Sequence, residues 1–156
     1  MENRQSAIGP IGVIELELLK LVRHLETFGR RASLYRRIDR AGYLALRMLE
    51  VLGPVSTKDL AHALHLDAST VTRQATTLEG GGFVERRRDP ADRRSMTLLL
   101  TNEGRRTMRD VERQRKQRIE SLLREWEDPQ KSSLGLALTK LNASLVEKAD
   151  EFEDDR

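Results

Sequence analysis

The sequence predicts a mainly α fold carrying one small β-hairpin. Three observations support it. Apolar residues recur at helical spacing near both ends of the 156-residue chain. Two short capped helices stand close together in the middle. Directly after them, a run with period-two alternation marks a strand pair.

The first helix spans about residues 12–31. Ile14, Leu18, Leu21, Val22, Leu25 and Phe28 trace one face, and Glu15, Lys20, Arg23, Glu26 and Arg30 the other. An arginine-rich linker runs from Arg30 to Arg40. A second helix is expected over Ala41 to Leu52, with Leu44, Met48, Leu49 and Val51 apolar; Gly53-Pro54 stops it. Ser56 then caps a short helix in which Asp59 can reach back as in a capping box, and Leu60, Ala61 and Leu64 are its apolar side. That helix ends near His65. Asp67 opens the next as N-cap, running through Leu78 to Gly80-Gly81-Gly82, where glycine tolerates left-handed backbone.

Phe83 to Asp89 and Ser95 to Thr101 are read as strands, joined by Pro90-Ala91-Asp92-Arg93-Arg94. Met96, Leu98 and Leu100 alternate as a half-buried strand requires. Thr101 caps a long helix from Asn102 to about Glu127, with Met108, Val111, Ile119, Leu122, Leu123 and Trp126 apolar. Asp128-Pro129 reads as an N-cap and a first-position proline starting the last helix. Its stripe is Leu134, Leu138, Leu141, Leu145, Ala149 and Phe152, before an acidic end.

Composition narrows the function. With no cysteine, disulfides, thiolate metal sites and thiol redox switches are excluded. No run of about 18 apolar residues exists, so no membrane span is expected. The opening Met-Glu-Asn-Arg-Gln lacks the basic-then-apolar pattern of a secretory leader, so a cytoplasmic location is expected. Aromatic residues make up 4%, too few for an open base-stacking platform. The net charge of +3 is an average: residues 147–156 hold six acids and two bases, and the rest holds 26 basic and 19 acidic residues. A basic body suits a nucleic-acid partner.

The middle segment carries the chemistry. Its second short helix is dense in Ser69, Thr70, Thr72, Arg73, Gln74, Thr76 and Thr77. A basic hairpin follows with Arg86, Arg87, Arg88, Arg93 and Arg94. This is what a helix-turn-helix with a wing needs, since a major groove about 12 Å wide admits one helix. Arg73 suits guanine and Gln74 adenine through paired hydrogen bonds. Ser69, Thr70 and Thr72 suit phosphates or base edges. Strand alternation turns Arg86 and Arg88 one way and Arg87 the other. Exposed helices also commonly carry such residues, so the weight rests on the combination. The Arg30-Arg31 and Arg36-Arg37 cluster is read as a solvated face. His62 and His65 have metal-ligand spacing but lack a third ligand of obvious spacing apart from Asp67, and are read as exposed or capping.

Asp92-Arg93-Arg94-Ser95-Met96-Thr97-Leu98-Leu99-Leu100-Thr101 fits the D-x-R-x-x-x-L-x-L-T wing signature, so the chain resembles the MarR family of winged helix-turn-helix regulators. Ser56-Thr57-Lys58-Asp59-Leu60-Ala61, Thr70-Val71-Thr72-Arg73 and Leu100-Thr101-Asn102-Glu103-Gly104 stand where that family carries its other motifs. The motif-rich part covers about residues 42–106. The resemblance implies that Arg94 reaches the minor groove, that Asp92 orients a wing arginine, and that the protein is a homodimer joined through its terminal helices. It further implies a small lipophilic or aromatic-acid effector whose usual action is release from DNA; His24, Tyr35 and Tyr43 are candidate lining residues.

The expected organisation is a dimerisation segment at 1–40, a winged helix-turn-helix lobe at 41–101, and C-terminal dimerisation helices with an acidic tail at 102–156. The apolar stripes of the end helices exceed what so small a lobe can cover, and a twofold partner is the simplest cover. Such a dimer reads a palindromic operator in double-stranded DNA. The expected function is a sequence-specific regulator, a repressor in the first instance. A nonspecific architectural DNA-binding protein is the alternative, and a purely protein-binding winged helix another. No catalytic residues are identified: there is no nucleophile–base pair, no paired catalytic carboxylates and no phosphate-cradling glycine loop, so neither enzyme activity, cofactor nor metal is expected.

Overall fold

The computed structural model describes residues 9–31, 35, 37–88 and 96–148, with the backbone alone for 26–31. The order of elements is α1 (Pro10–Arg31), α2 (Arg40–Leu52), β1 (Val55–Ser56), α3 (Thr57–Leu64), α4 (Ala68–Gly80), β2 (Val84–Arg88), β3 (Met96–Leu100), α5 (Asn102–Leu122) and α6 (Asp128–Glu147). The chain divides into two units, Met1–Arg36 and Arg37–Arg156.

The first unit contributes α1. Gly12 and Val13 are half-buried, and every other described side chain of this helix is exposed, including Ile14, Leu18, Leu21 and Leu25. Glu26, Phe28 and Arg30 lie outside the described side chains.

The second unit holds a single core: Ile38, Ala45, Leu46, Leu49, Leu60, Ala61, Val71, Ala75, Leu78, Phe83, Val84, Leu98, Met108 and Val111 are all buried. Asp39 caps α2, its carboxylate accepting from the Gly42 N–H at 2.6 Å. The helix buries Gly42, Ala45, Leu46 and Leu49, while Leu44 and Val51 face solvent. Apolar residues surround α2, so spacing alone left the choice of face open; the steps of 3, 1 and 3 are the ones that pack.

Ser56 caps α3 as expected, accepting from the Asp59 N–H at 3.1 Å. Asp59 does reach back, but to the Ser56 hydroxyl, which donates to it at 2.7 Å, and not to the backbone. Asp67 holds the N-cap position of α4 in extended backbone without a side-chain capping bond. At the other end, Gly82 alone of the three glycines takes positive φ, +73°. Gly81 is needed for space, since a Cβ there would meet the Phe83 ring at 2.6 Å.

The sheet has a third strand that alternation could not reveal, because β1 is only two residues long. Its order is β1-β3-β2, antiparallel throughout, with Val55↔Leu98 on one side of β3 and Val84↔Leu100 through Arg88↔Met96 on the other. Leu98, central in this sheet, is buried.

The core does not stop at Thr101. Met108 and Val111 of α5 are buried, and ion pairs bind α5 to α2: Arg47 to Glu112 at 3.1 Å, Arg105 to Glu50 at 3.2 Å and Arg109 to Glu50 at 3.8 Å. The helix ends at Leu122, short of Glu127, and a turn follows. The cap of α6 is Glu127, not Asp128, which places Asp128 first and Pro129 second in the helix. The Glu127 N–H donates to the Gln130 side chain at 2.8 Å. No residue of α6 is buried. Ala149, Phe152 and the acidic end lie outside the described residues.

Candidate nucleic-acid interface

The helix-turn-helix is built from α3 and α4. Leu60 and Ala61 of α3 and Val71, Ala75 and Leu78 of α4 are buried in the shared core. The turn between them rests on His65, whose φ of 50° places it in the left-handed region as the C-cap of α3. Its N–H donates to the His62 carbonyl at 3.1 Å, and that of Leu66 to the Ala61 carbonyl at 3.1 Å. A turn this tight sets the second helix across the first and leaves one face of it open. His62 and His65 stand with ring centroids 6.3 Å apart, and no group of three metal-binding side chains occurs among the described residues.

Burying Val71, Ala75 and Leu78 decides what α4 shows to solvent. Ser69, Thr72, Arg73, Thr76 and Thr77 are exposed, while Thr70 and Gln74 are half-buried. Arg73 is the one cation of α4 and sits mid-face, one turn from Ser69 and from Thr76 and Thr77. It has no ion-pair partner among the described residues. Gln74 is not brought onto this face: it flanks the packed side, with its Oε1 buried and without a hydrogen-bond partner. The sequence placed Arg73 and Gln74 together because they are neighbours, but successive helical residues point about 100° apart.

Three threonine hydroxyls turn back onto the helix. That of Thr72 donates to the Ala68 carbonyl at 2.7 Å, that of Thr76 to the Thr72 carbonyl at 3.0 Å, and that of Thr77 to the Arg73 carbonyl at 3.1 Å.

The hairpin is tied to α4 by Arg86. Its Nε lies 3.1 Å from a Glu79 carboxylate oxygen, and its Nη2 donates to the Thr76 hydroxyl at 3.2 Å. Arg87, on the opposite face of β2, pairs with Glu85 two residues away. Arg88 is exposed and has no ion-pair partner among the described residues. Asp92, Arg93 and Arg94 lie outside the described residues, beyond the last register pair Arg88↔Met96.

The far end of the hairpin locks onto α5. Thr101 donates its hydroxyl to the Gly82 carbonyl at 2.7 Å and accepts from the Gly104 N–H at 3.0 Å. Arg37, read from sequence as part of a solvated face, is exposed, and it also lies over the Phe83 ring at 5.5 Å, pairs with Glu103 and donates to Thr107 at 3.3 Å. Neither Arg37 nor Glu79 was legible as a structural partner, since both contacts cross elements. Of the three candidate effector-lining residues, His24 is exposed on α1, while Tyr35 is half-buried, as is Tyr43 on α2. Arg115 lies over the Tyr43 ring at 5.5 Å. No described helix is long and apolar enough to cross a membrane.

The comparisons agree with this geometry. The model of the MarR family matches residues 38–96. A Bacillus subtilis (strain 168) protein, the uncharacterized HTH-type transcriptional regulator YxaD, is 31% identical over 138 residues, which are 88% of this chain and 96% of that one. Among solved structures, a MarR family protein from Bacillus stearothermophilus is similar with a TM-score of 0.70 at 23% identity, covering 93% of this chain and 98% of that one. Streptococcus pneumoniae FabT in complex with DNA is similar with a TM-score of 0.67 at 25% identity, covering 86% of this chain and 94% of that one.

Proposed function

The chain belongs to the MarR family, DNA-binding transcriptional regulators and not enzymes, and from that premise we propose that it is a cytoplasmic repressor acting as a homodimer on a palindromic operator. The observation that carries this reading is the open face of α4, with Arg73 at its centre and a basic strand clamped beside it through Arg86–Glu79. FabT, of the same fold, was solved on DNA.

In this reading α4 enters the major groove. Arg73 reads a base edge, with guanine the best geometric match for its paired donors. Ser69 and Thr70, near the helix start, contact phosphate. Arg88 adds a phosphate contact, and Arg93 and Arg94 extend the wing toward the minor groove with Asp92 orienting one of them, on the match to the family's wing signature. Gln74, half-buried on the flank of the packed side, and Arg86, paired with Glu79, drop from the direct contacts. Apolar side chains exposed on α1 and α6 are the dimer contacts, and two α4 helices about one DNA turn apart read two half-sites.

An effector that binds the two separations of the lobes unequally shifts DNA affinity; one that binds them equally shifts nothing. An aromatic acid fits the candidate residues, since Tyr43 offers a half-buried ring beside the Arg115 cation.

The test is selection of bound duplexes from a random pool, followed by competition with unrelated duplex at fixed salt. Enrichment of a palindrome that unrelated DNA cannot displace supports the reading. Equal competition by random duplex replaces it with an architectural role.

A further inference from the structure

The three back-bonded threonines change what α4 offers a DNA groove. A threonine side chain carries one hydroxyl and one methyl on Cβ. In Thr72, Thr76 and Thr77 the hydroxyl proton is committed to a backbone carbonyl one turn earlier, as short polar side chains on helices commonly do. All three residues are exposed, and with the hydroxyl proton turned back onto the helix, the methyl is the part of each left without a polar commitment. Thr76 is bound most completely: its oxygen donates to the Thr72 carbonyl and also accepts from Arg86. Sequence alone suggests a row of hydroxyl donors suited to phosphate. The structure presents one guanidinium, Arg73, flanked by threonines whose hydroxyl donors are turned back onto the helix.

Thr72 and Thr76 stand four residues apart and so share one side of the helix, forming a continuous apolar strip beside Arg73. In the major groove, only thymine presents an apolar group at its edge, the C5 methyl. We infer that Thr72 and Thr76 are specificity-determining residues that select thymine through methyl–methyl contact, while the hydroxyls of this strip take no part in readout. The inference rests on the reading of α4 as the major-groove helix. Phosphate donation from α4 then falls to Ser69 and Thr70, whose hydroxyls make no hydrogen bond among the described residues. Each half-site is expected to place thymine next to the base that Arg73 contacts.

The test uses the full-length protein and duplexes selected from a random pool, each also made with deoxyuridine at single thymines. Uracil keeps every hydrogen-bonding group of thymine and lacks only the methyl. At a contacted thymine the exchange is expected to weaken binding about fourfold, the factor given by burial of one methyl group. Two variants separate methyl from hydroxyl. Thr72→Val keeps the methyl and should keep both affinity and the thymine preference. Thr72→Ser keeps the hydroxyl and should bind thymine and uracil alike at the position Thr72 contacts, while a thymine contacted by Thr76 keeps its preference. The reverse pattern, with Thr72→Val impaired and Thr72→Ser unchanged, overturns the inference. So does a selected palindrome bound equally with thymine or uracil at every position, a result that leaves sequence-specific binding intact. If selection enriches no sequence and the two pools bind alike, both the inference and the operator reading fail.

Discussion

Gly104 is pressed against the backbone of Phe83: a Cβ at position 104 would stand 2.0 Å from the Phe83 carbonyl oxygen and 2.8 Å from its carbon. That carbonyl also accepts the Thr101 N–H at 3.1 Å, so it cannot swing aside without loosening the start of α5. Gly104→Ala is therefore expected to destabilise the lobe by about 3 kcal/mol, the upper part of the usual range for overpacking. Chemical denaturation with far-UV circular dichroism measures it. A cost under about 1 kcal/mol would mean that α5 shifts freely against the hairpin.

This junction also shows which parts of the fold were legible. Thr101 stands as the cap read from the sequence, and it accepts from Gly104 three residues later, within one local pattern. Ser56 was legible for the same reason. The face of α2 was not, because apolar residues surround it and only tertiary packing selects Ala45, Leu46 and Leu49. β1 escaped because two residues carry no period. In the candidate site, the exposure of Arg73 follows from helical spacing once Val71, Ala75 and Leu78 are known to be buried. The engagement of Arg86 by Glu79 and Thr76 does not, since a strand arginine reads the same whether it faces DNA or a neighbouring helix.

Arg86 and Arg88 are therefore expected to separate in a salt titration. Binding to duplex DNA weakens with salt in proportion to the number of phosphates neutralised, with a log–log slope near −0.9 per contact. Arg88→Gln removes a phosphate contact and should lower the magnitude of the slope by about 0.9 per subunit. Arg86→Gln should weaken binding at every salt concentration with its slope unchanged, because Arg86 positions the hairpin on α4. The double variant with Glu79→Gln should bind better than Arg86→Gln alone, because it removes the carboxylate left unpaired beside DNA. A reduced slope for Arg86→Gln would show a direct phosphate contact.

Glu112, which joins α5 to Arg47 of α2, carries a pH dependence. A hydrogen bond from Lys116, together with the charges of Arg47, Lys116 and Arg109, holds the Glu112 carboxyl below its ordinary value of 4.5, against an opposing effect of burial. A folded-state value below the unfolded one contributes stability that is present above the ordinary range and lost as pH falls through the lowered value. Melting curves between about pH 3 and pH 7 should therefore show an acid-side loss that is smaller in Glu112→Gln. Identical acid-side loss in both proteins would assign the dependence to other carboxylates.

The apolar surface of α6 gives the most direct test of assembly. This helix has 20 residues and none is buried. Leu134 and Leu141 are half-buried, while Leu138 and Leu145 on the same stripe are 43% and 56% exposed. Most helical stability in proteins comes from packing an apolar face. On α1, Leu18 and Leu21 are similarly uncovered, at 39% and 45% exposed. In the proposed homodimer a second copy of the chain covers these apolar faces. Leu138→Asp would place a carboxylate in that contact in two symmetric copies and should shift the dimer toward monomer by at least about 3 kcal/mol, more than a hundredfold in the dissociation constant. Leu21→Asp tests α1 separately. Sedimentation equilibrium measures both, and a palindromic duplex measured beside a single half-site shows the consequence. A monomeric variant should lose the advantage of the palindrome over the half-site while keeping the lobe's weaker contact. Variants that stay dimeric at micromolar concentration would place the dimer contacts elsewhere.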